Sequence, residues 1–466
     1  MSPRKLACFL GSVLVALATA RAQQGGESLG RDAASAGRAG VDVAIADTAA
    51  ALLANPAGLV QSRARWTLEG GGSLVWLRSG YRDAFQTEEV RDSRWLGAPT
   101  LALRFNPDPD DDGRAGDLHL AAAILHLEGY RSDDEVLTQD YPVDPGIRRR
   151  TDYVRTGLHL GAGLRLSSTV SVGLGLSLTA TDLETETPLE IPVTKFQGLS
   201  PLGQTWGELL SGQLGVERVR IAGKLDAEPA LGGFATLGLR WEITPELALG
   251  ASWRSPGLQR DLDAEVDVDI TRIFGEPDPV TFPDGFAVHY EGKLRDFRSP
   301  ARAAIGLAWR PVPELRVAAQ FDWIGWEGAR SRLEIALRDG DNPGFNAFVG
   351  SDRLVVEQRF LWRDQIGGGV ALEWDPVENW TFRVGFRAQS DPVRRNGGDP
   401  LAPGYTRFVV SAGLTWRGEG WALDIAWLRG IEREVKVATS LVTSDHDGSR
   451  QSLAVDAFLI GLRFEF

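Results

Sequence analysis

Strict alternation of apolar and polar residues recurs along this chain and limits the fold to sheets with one apolar and one polar face. In the segment 170–179, Val and Leu alternate with Ser, Gly and Thr. The segment 380–387 repeats the pattern with Trp, Phe and Val, and 458–466 repeats it with Phe, Ile and Leu. Successive side chains of a strand point to opposite faces, so this period of two predicts β-strands. A soluble β-sandwich also alternates, because its apolar face packs against a second sheet.

The number and spacing of these segments separate a membrane barrel from a sandwich. Fourteen strands are predicted, at 64–78, 98–106, 117–130, 152–166, 169–182, 226–243, 246–270, 286–311, 314–335, 354–375, 378–390, 405–417, 420–432 and 451–466. Tight turns such as 244–245 and 418–419 alternate with long polar loops, the longest being 183–225. Short turns on one rim, long loops on the other and an even strand count are typical of outer-membrane barrels. We expect an all-β fold, a 14-stranded antiparallel transmembrane β-barrel in the cell outer membrane of a Gram-negative-type bacterium.

Tryptophan positions support the same interpretation. Six tryptophans each lie within a few residues of a predicted short turn: Trp241, Trp309, Trp374, Trp380, Trp416 and Trp421. The amphipathic indole prefers the headgroup level of a membrane, so we interpret these residues as the periplasmic aromatic girdle. The alternation places charged residues on the other face of the strands, inside the barrel: Arg316, Asp322, Arg383, Arg387 and Arg463.

Composition argues against several other classes of protein. The formal net charge is −13 and no basic block is present, so nucleic-acid binding is not expected. Five His and one Cys provide little for a zinc site or for thiol chemistry. The motifs G-x-S-x-G and H-E-x-x-H are absent, so we expect neither an enzyme nor a cofactor. A barrel phospholipase would need a Ser–His pair, for which His159 and Ser171 are the candidates.

One acidic segment shares a pattern with calcium-binding loops. Asp108, Asp110 and Asp112, followed by Gly113, match the first ligand positions of such a loop. The twelfth position is His119, so the bidentate Glu of a calcium loop is missing. We interpret the segment as a solvated acidic turn and keep calcium binding as the alternative.

The N-terminus has the features of a secretory signal peptide. Arg4 and Lys5 precede an apolar run at 6–18, and an A-x-A cleavage site follows at 20–22. An uncleaved anchor is the alternative, but the run is short for a span of ~20 residues. We expect three parts: a signal peptide at 1–22, a hatch or plug at 23–63 and a transmembrane β-barrel at 64–466.

The segment 23–63 is too long for a tail, and its Ala and Leu content is compatible with short helices, which disfavours a disordered leader. Within it, 36–40 leads to Asn55, Pro56, Ala57 and Gly58. This hatch motif resembles the N-terminal hatch of the FadL-type transporters of long-chain fatty acids. Three later parts are similar to strands of the same family: 249–256, 304–326 and 362–386.

The resemblance implies a fourteen-stranded barrel that moves hydrophobic molecules without chemical change. The ligand would bind in an extracellular groove, pass to an apolar pocket in the lumen and leave sideways, after the hatch shifts, at a kinked third strand. In this chain the alternation of the third strand breaks at Ala121, Ala122 and Ala123, which we assign to the kink, with a local irregularity as the alternative. The expected partners are a hydrophobic ligand, outer-membrane lipid and lipopolysaccharide, and the expected state is a monomer.

The extracellular groove has one candidate in the long loop 183–225. Ser200 and Pro201 read as the N-cap and first turn of a helix. Helical spacing would then place four apolar side chains on one face: Leu202, Trp206, Leu209 and Leu210. An exposed apolar face of this kind could receive a lipophilic molecule. The alternative is that the helix folds down over the barrel mouth.

Two functions from different classes remain open at this point. The first is a channel for passive uptake of hydrophobic molecules. The alternative is a structural or accessory outer-membrane barrel that docks a surface or secretion partner without moving solute.

Overall fold

The computed structural model describes residues 23–24, 27–48, 51–82, 89–109, 115–136, 147–269, 287–330, 332–394, 396–397, 406–441 and 447–466. The predicted signal peptide lies outside the described residues. None of the helices in the described ranges is long and apolar enough to cross a membrane.

Fourteen antiparallel strands form one closed barrel, as the sequence predicts. The strands are β1 Trp66–Arg82, β2 Val90–Phe105, β3 Leu118–Val136, β4 Ile147–Arg165, β5 Val170–Pro192, β6 Arg218–Thr244, β7 Leu247–Arg254 with Leu258–Gln259 and Leu262–Asp269, β8 Ala287–Arg295 with Ala301–Val312, β9 Leu315–Gly325 with Arg332–Arg338, β10 Leu354–Arg359 with Gln365–Val377, β11 Trp380–Gln389, β12 Phe408–Gly418, β13 Trp421–Lys436 and β14 Arg450–Glu465. Each strand pairs with the next one. The barrel closes where β14 pairs with β1, from Arg450 opposite Arg82 to Glu465 opposite Thr67.

Short helices occur inside the barrel and above it. They are α1 Ala33–Gly37, α2 Ala51–Ala54, a 3-10 helix Pro56–Gln61, a 3-10 turn Val193–Lys195, α3 Trp206–Leu214, α4 Glu327–Arg330 and α5 Pro343–Val349. We call residues 23–63 the hatch segment. Its described helices pack against the inner wall of the barrel, and their side chains are buried.

Four neighbouring strands, β7 to β10, are interrupted at one level of the wall, so β8, β9 and β10 are each two segments and β7 is three. The lower segments form one ladder and the upper segments form another. Pro256 and Pro300 lie in two of the interruptions, where a residue without an N–H cannot continue a ladder. In β9 the helix α4 replaces the strand.

The upper strand segments form an extracellular sheet with its own apolar core. β5 and β6 pair as far as Pro192 opposite Arg218, so the predicted loop 183–225 shrinks to 193–217. The inner face of the sheet buries residues such as Val266 and Tyr290, and α5 packs onto this face. Alternating charged residues occupy its outer face.

The outer and inner faces of the membrane-level wall match the alternation of the sequence. Outward side chains such as Ile305 and Val370 are half-exposed and form an apolar belt. Of the six predicted girdle tryptophans, four are half-exposed beside the short turns, namely Trp241, Trp309, Trp374 and Trp416, and Trp380 and Trp421 are partly buried. The inward orientation of Asp322, Arg383 and Arg387 is also confirmed, since all three are buried in the lumen.

The closed ladder generates a prediction about the purified protein. Because every strand has a partner on both sides over at least part of its length, the barrel should resist unfolding by detergent until it is heated. We expect boiled and unboiled samples to migrate differently on denaturing gels, with β-type circular dichroism. A spectrum dominated by helix, or extraction from membranes without detergent, would contradict this fold.

Candidate functional site: the hatch and the barrel wall

The hatch motif forms a fixed turn against the wall. Asn55 is fully buried, and its Oδ1 accepts a hydrogen bond from the N–H of Ala57 at 3.1 Å. Its Nδ2 donates to the carbonyl oxygens of Val43 in the hatch, at 2.7 Å, and of Leu239 on β6, at 2.9 Å. Pro56 begins the 3-10 helix, a position where its missing N–H leaves no bond unmade. One side-chain amide therefore holds the turn, a second hatch turn and the wall together.

Glycines of the wall allow the hatch backbone to touch it. A Cβ atom placed on Gly238 of β6 would lie 2.1 Å from Oδ1 of Asn55. On β5, a Cβ atom at Gly173 would lie 2.3 Å from the carbonyl carbon of Pro56. Real Cβ atoms do not approach other atoms so closely, so a larger residue at either position must displace the hatch.

Gly58 serves the same purpose inside the hatch segment. A Cβ atom at this position would lie 2.3 Å from both the Cβ and the carbonyl oxygen of Ala46. Two turns of the hatch therefore cross at a point that has room only for glycine.

The close contact continues round the barrel. On β7, a Cβ atom at Gly250 would lie 2.1 Å from the carbonyl oxygen of Val43, and on β11 one at Gly385 would lie 2.5 Å from the carbonyl carbon of Arg38. We give the name glycine band to seven of the inward glycines that contact the hatch in this way: Gly173, Gly238, Gly250, Gly306, Gly369, Gly385 and Gly413. The band lies on seven strands, so the hatch is seated against most of the circumference.

On β9 the level of the band is occupied by Gln320, which contacts the hatch by hydrogen bonds. Its Oε1 accepts from the backbone N–H groups of Asp42 and Val43, both at 2.8 Å. Its Nε2 donates to the carbonyl oxygen of Gly40 at 3.3 Å. The side chain thus pairs with the hatch backbone much as a neighbouring strand would.

Buried ion pairs join the hatch to β9 and β10. Arg38 is 1% exposed and contacts Asp42 at 3.0 Å, Asp47 at 3.2 Å and Glu373 of β10 at 3.1 Å. Arg316 of β9 contacts Asp47 at 3.2 Å and Glu373 at 2.9 Å. Burial alone would raise the pKa of Asp47, but Arg38 and Arg316 hold that pKa well below its ordinary value. The hatch therefore carries charges whose partners are on the wall.

The wall is open between β2 and β3 above its periplasmic part. The two strands pair only over 101–105 and 120–124, although both continue upward. Pro99 follows the last pair on β2, and a strand proline is tolerated at an unpaired edge. The backbone of the hatch at Glu27 pairs with β3 at Glu128, beside this opening.

The predicted kink at Ala121, Ala122 and Ala123 is not where the irregularity lies. These alanines pair regularly with β2 on one side and β4 on the other. The register shift in β3 falls between His126 and Glu128. The small alanine side chains interrupt the apolar pattern of the sequence, but the backbone ladder continues through them. The sequence pattern therefore placed the irregularity a few residues before its position in the structure.

An apolar cluster lies between the hatch and β3. Leu52 and Leu59 of the hatch pack with Leu125 and Leu127 of β3, and all four are buried. Two cavities beside the hatch have volumes of only about 30 Å³ each, which is room for roughly one water molecule. At these two places the space between the hatch and the wall is too small for a ligand larger than water.

The predicted extracellular groove is only partly assembled. The helix α3 begins at Trp206 with Thr205, not Ser200, as its N-cap, because Thr205 and Glu208 form a capping box. Leu202 therefore lies outside the helix and is 68% exposed, whereas Leu210 is buried. The other two residues are half-buried, and the ring of Trp206 lies 5.3 Å from the ring of Phe348, tilted by 47°.

The remaining candidates are placed as follows. Asp110 and Asp112 lie outside the described residues, and within the described part of the chain no group of three or more acidic, His or Cys side chains is arranged to hold a metal ion. His159 contacts Ser177 on β5, with Nδ1 and Oγ 2.7 Å apart, and is not paired with Ser171.

Comparison with protein-family models matches residues 148–466 to the family described as outer membrane protein transport protein (OMPP1/FadL/TodX). The chain belongs to this FadL/TodX family. Its place is the bacterial outer membrane, as the sequence predicts. Comparison with curated protein sequences gave no match.

Solved structures of other family members share the fold. The toluene transporter TodX of P. putida is 18% identical, with a TM-score of 0.71, over 94% of this chain and 99% of that one. The toluene transporter TbuX of Ralstonia pickettii is 17% identical, with a TM-score of 0.65, over 94% and 99%. A FadL homologue of Pseudomonas aeruginosa is 15% identical, with a TM-score of 0.67, over 94% and 98%.

Sequence reasoning found the hatch motif but missed the wall that receives it. The signal was present, because glycine recurs at inward positions of many strands where a lumenal polar residue was expected, as at Gly250, Gly306 and Gly369. Pro99 likewise marked an unpaired edge of β2 in the sequence. Gln320 gave no signal, since an inward amide is unremarkable in a polar lumen.

The glycine band generates a prediction for Gly238→Val. The added side chain must push Asn55 away, so we expect the barrel to fold, the hatch to seat incorrectly and the outer membrane to admit more of a small polar antibiotic. Overpacking of this kind costs about 1–3 kcal/mol, which should also lower the temperature at which the folded gel band is lost.

The matched control is Gly70→Val. This glycine faces the lipid, and its nearest neighbour would be Leu101 Cδ1 at 4.0 Å, so permeability should stay at the wild-type level. Equal permeability of the Gly238 and Gly70 variants would show that the band does not seat the hatch.

Proposed function

We propose that this protein is a channel for the passive uptake of hydrophobic molecules across the outer membrane, and not an enzyme. The observation that carries the proposal is the apolar cluster of the hatch and β3 beside the opening between β2 and β3. A hydrophobic molecule that leaves the lumen there would enter the membrane without crossing the charged periplasmic part of the lumen.

The hatch supports a gated route. The two cavities beside its seat on the glycine band are too small for a ligand, which supports a route that opens when the hatch leaves that seat. The pairing of Glu27 with Glu128 connects the hatch backbone to β3 at the opening, so a shift of the hatch would also change the edge of the exit. This opening, and not the three alanines before it, is the lateral exit we propose.

Access from outside is proposed at the loop that precedes α3. Leu199 and Leu202 are 74% and 68% exposed, which is unusual for neighbouring leucines on an extracellular surface. Trp206 lies next to them, partly covered by Phe348. These three side chains form the outer apolar contact of the proposed route.

The ligand class follows from binding measurements on the purified barrel. Two of the similar structures are toluene transporters and one is a FadL homologue, so an aromatic hydrocarbon and a fluorescent long-chain fatty acid are the two probes. Saturable binding of one probe, competed by its unlabelled form, supports the proposal. Binding of neither would favour the alternative of an accessory barrel that docks a partner.

Deletion of residues 24–58 tests the gate. Because the strands complete their ladders without the hatch, we expect the barrel to fold and to show heat-dependent gel migration. Uptake of the hydrophobic probe should fall, since the apolar cluster is lost, and leakage of small polar antibiotics should rise. Normal uptake together with an impermeable outer membrane would mean that the segment has no gating role.

The double substitution of Asn55 and Pro56 by Ala separates geometry from occlusion. It removes the hydrogen bonds of the buried Asn55 side-chain amide, which should destabilise the docked hatch by about 1–3 kcal/mol. The hatch segment itself remains in the lumen. We expect reduced uptake with less leakage than in the deletion. Wild-type uptake in this variant would show that the turn need not be held as the structure holds it.

A further inference from the structure

The lipid-facing wall has a groove whose edge at Pro99 of β2 lies beside the proposed lateral exit. It crosses the outer surface of β12, β13, β14, β1 and β2 and has a volume of about 770 Å³. This lies within the range of about 300–1,000 Å³ that small-molecule sites span. The side chains that border it on the outside include Leu74, Ile425, Phe458 and Ile460, each about half exposed.

Small residues make the wall concave at this place. Two registered rows cross the groove, one through Ala412, Phe458 and Leu74, the other through Ile460, Gly72 and Pro99. Gly72 forms the floor between larger neighbours. A Cβ atom there would lie 3.4 Å from the carbonyl oxygen of Ala98, an ordinary contact, so the space above it is open.

Charged and aromatic residues lie at the extracellular end of the groove. The next registered row contains Arg429, Asp456, Trp76 and Trp95. Arg78 follows Trp76 on β1, lies 4.2 Å above its ring and contacts Asp456 at 2.6 Å. Arg429 contacts the same carboxylate at 3.7 Å. Two guanidinium groups share one carboxylate, which leaves one positive charge at this end.

Contacts among the residues at the extracellular end also fix the side chains that border the groove. Trp427, which lines the groove, donates a hydrogen bond to Asp456 at 3.2 Å, and Trp76 stacks on Trp95 at 5.5 Å. Both arginine side chains keep about a third or more of their surface exposed, 34% for Arg78 and 43% for Arg429. They can therefore contact a group outside the protein without breaking their contacts with Asp456.

We propose that this groove is a binding site for one lipopolysaccharide molecule of the outer leaflet, with an acyl chain in the groove and a lipid phosphate at Arg78 and Arg429. The order along the membrane normal fits this occupant, because the apolar groove lies at the level of acyl chains and the cationic rim at the extracellular edge of the apolar belt. Arginine binds phosphate by paired charge-assisted hydrogen bonds. The inference does not depend on which molecule the barrel transports.

Gly72→Leu tests the acyl part of the site. The purified, delipidated barrel in detergent is titrated with hexa-acylated, bis-phosphorylated lipid A, and bound lipid is counted by native mass spectrometry. We expect one retained lipid A per wild-type barrel and about tenfold weaker retention in the variant, whose side chain occupies the groove. Gly70→Leu, outside the groove on the same strand, should retain lipid A as wild type does. Equal retention by Gly72→Leu would overturn the site.

The phosphate part has its own variants. Arg78→Gln with Arg429→Gln should weaken binding of bis-phosphorylated lipid A about tenfold and leave binding of the dephosphorylated form unchanged. Asp456→Asn removes the competing carboxylate and should strengthen binding of the phosphorylated form. Heat-dependent gel migration shows that each variant is folded. Equal affinity of the wild type for phosphorylated lipid A, dephosphorylated lipid A and phosphatidylglycerol would contradict the proposal.

Discussion

The contact between the hatch backbone and the glycines of the wall determines much of this structure. In a barrel of about eight strands, the inward side chains just fill the lumen. A fourteen-stranded barrel is wider, so its inward side chains cannot fill it. The lumen must then contain a separate piece of chain or water. At Gly238 and Gly173 the wall has no side chain, so the backbone around Asn55 and Pro56 reaches the strands themselves. The same contact at Gly250 and Gly385 carries the hatch round the barrel and leaves two cavities of about 30 Å³ beside it.

The charged residues of the lumen determine the position of the hatch more than they determine how strongly the hatch binds. Removing Arg38 would leave Asp42 buried without its ion-pair partner, which typically costs about 3–5 kcal/mol, whereas Glu373 would keep Arg316 and Arg383. Apolar residues of the same shape in place of these charged residues could bind the hatch as strongly. They would, however, accept the hatch in several registers. Arg38 and Asp47 of the hatch pair with Glu373 and Arg316 of the wall, and Gln320 of the wall bonds the hatch backbone, so a hatch shifted by one residue would break these bonds. These bonds therefore specify one seat for the hatch segment.

Much of this architecture could be predicted from the sequence, because a period of two over fourteen segments has few solutions. The strand count, the girdle tryptophans and the inward charges depend on alternation alone, and they are confirmed. Features that depend on tertiary contact were missed or misplaced. The inward glycines recur in the sequence, but their role as a seat is clear only when the hatch lies beside them. The irregularity of β3 at His126 lies in the backbone ladder, not in the side-chain pattern. The helix near Trp206 was expected to begin at Ser200, but the capping box of Thr205 and Glu208 is the stronger start signal.

A cross-link between hatch and wall tests the central claim most directly. The Cβ of Ala33 in α1 lies 3.8 Å from the position that a Cβ would take at Gly461 of β14, which is the usual separation in a disulfide. Apart from Cys8 the chain has no cysteine. The measurement is uptake of the hydrophobic probe by cells carrying Ala33→Cys with Gly461→Cys, before and after reduction. The account predicts that the disulfide forms in the assembled barrel, that uptake is lost and that reduction restores it. Free thiols under oxidising conditions, or equal uptake by the cross-linked and reduced forms, would contradict a hatch that sits on this wall and must leave it for transport.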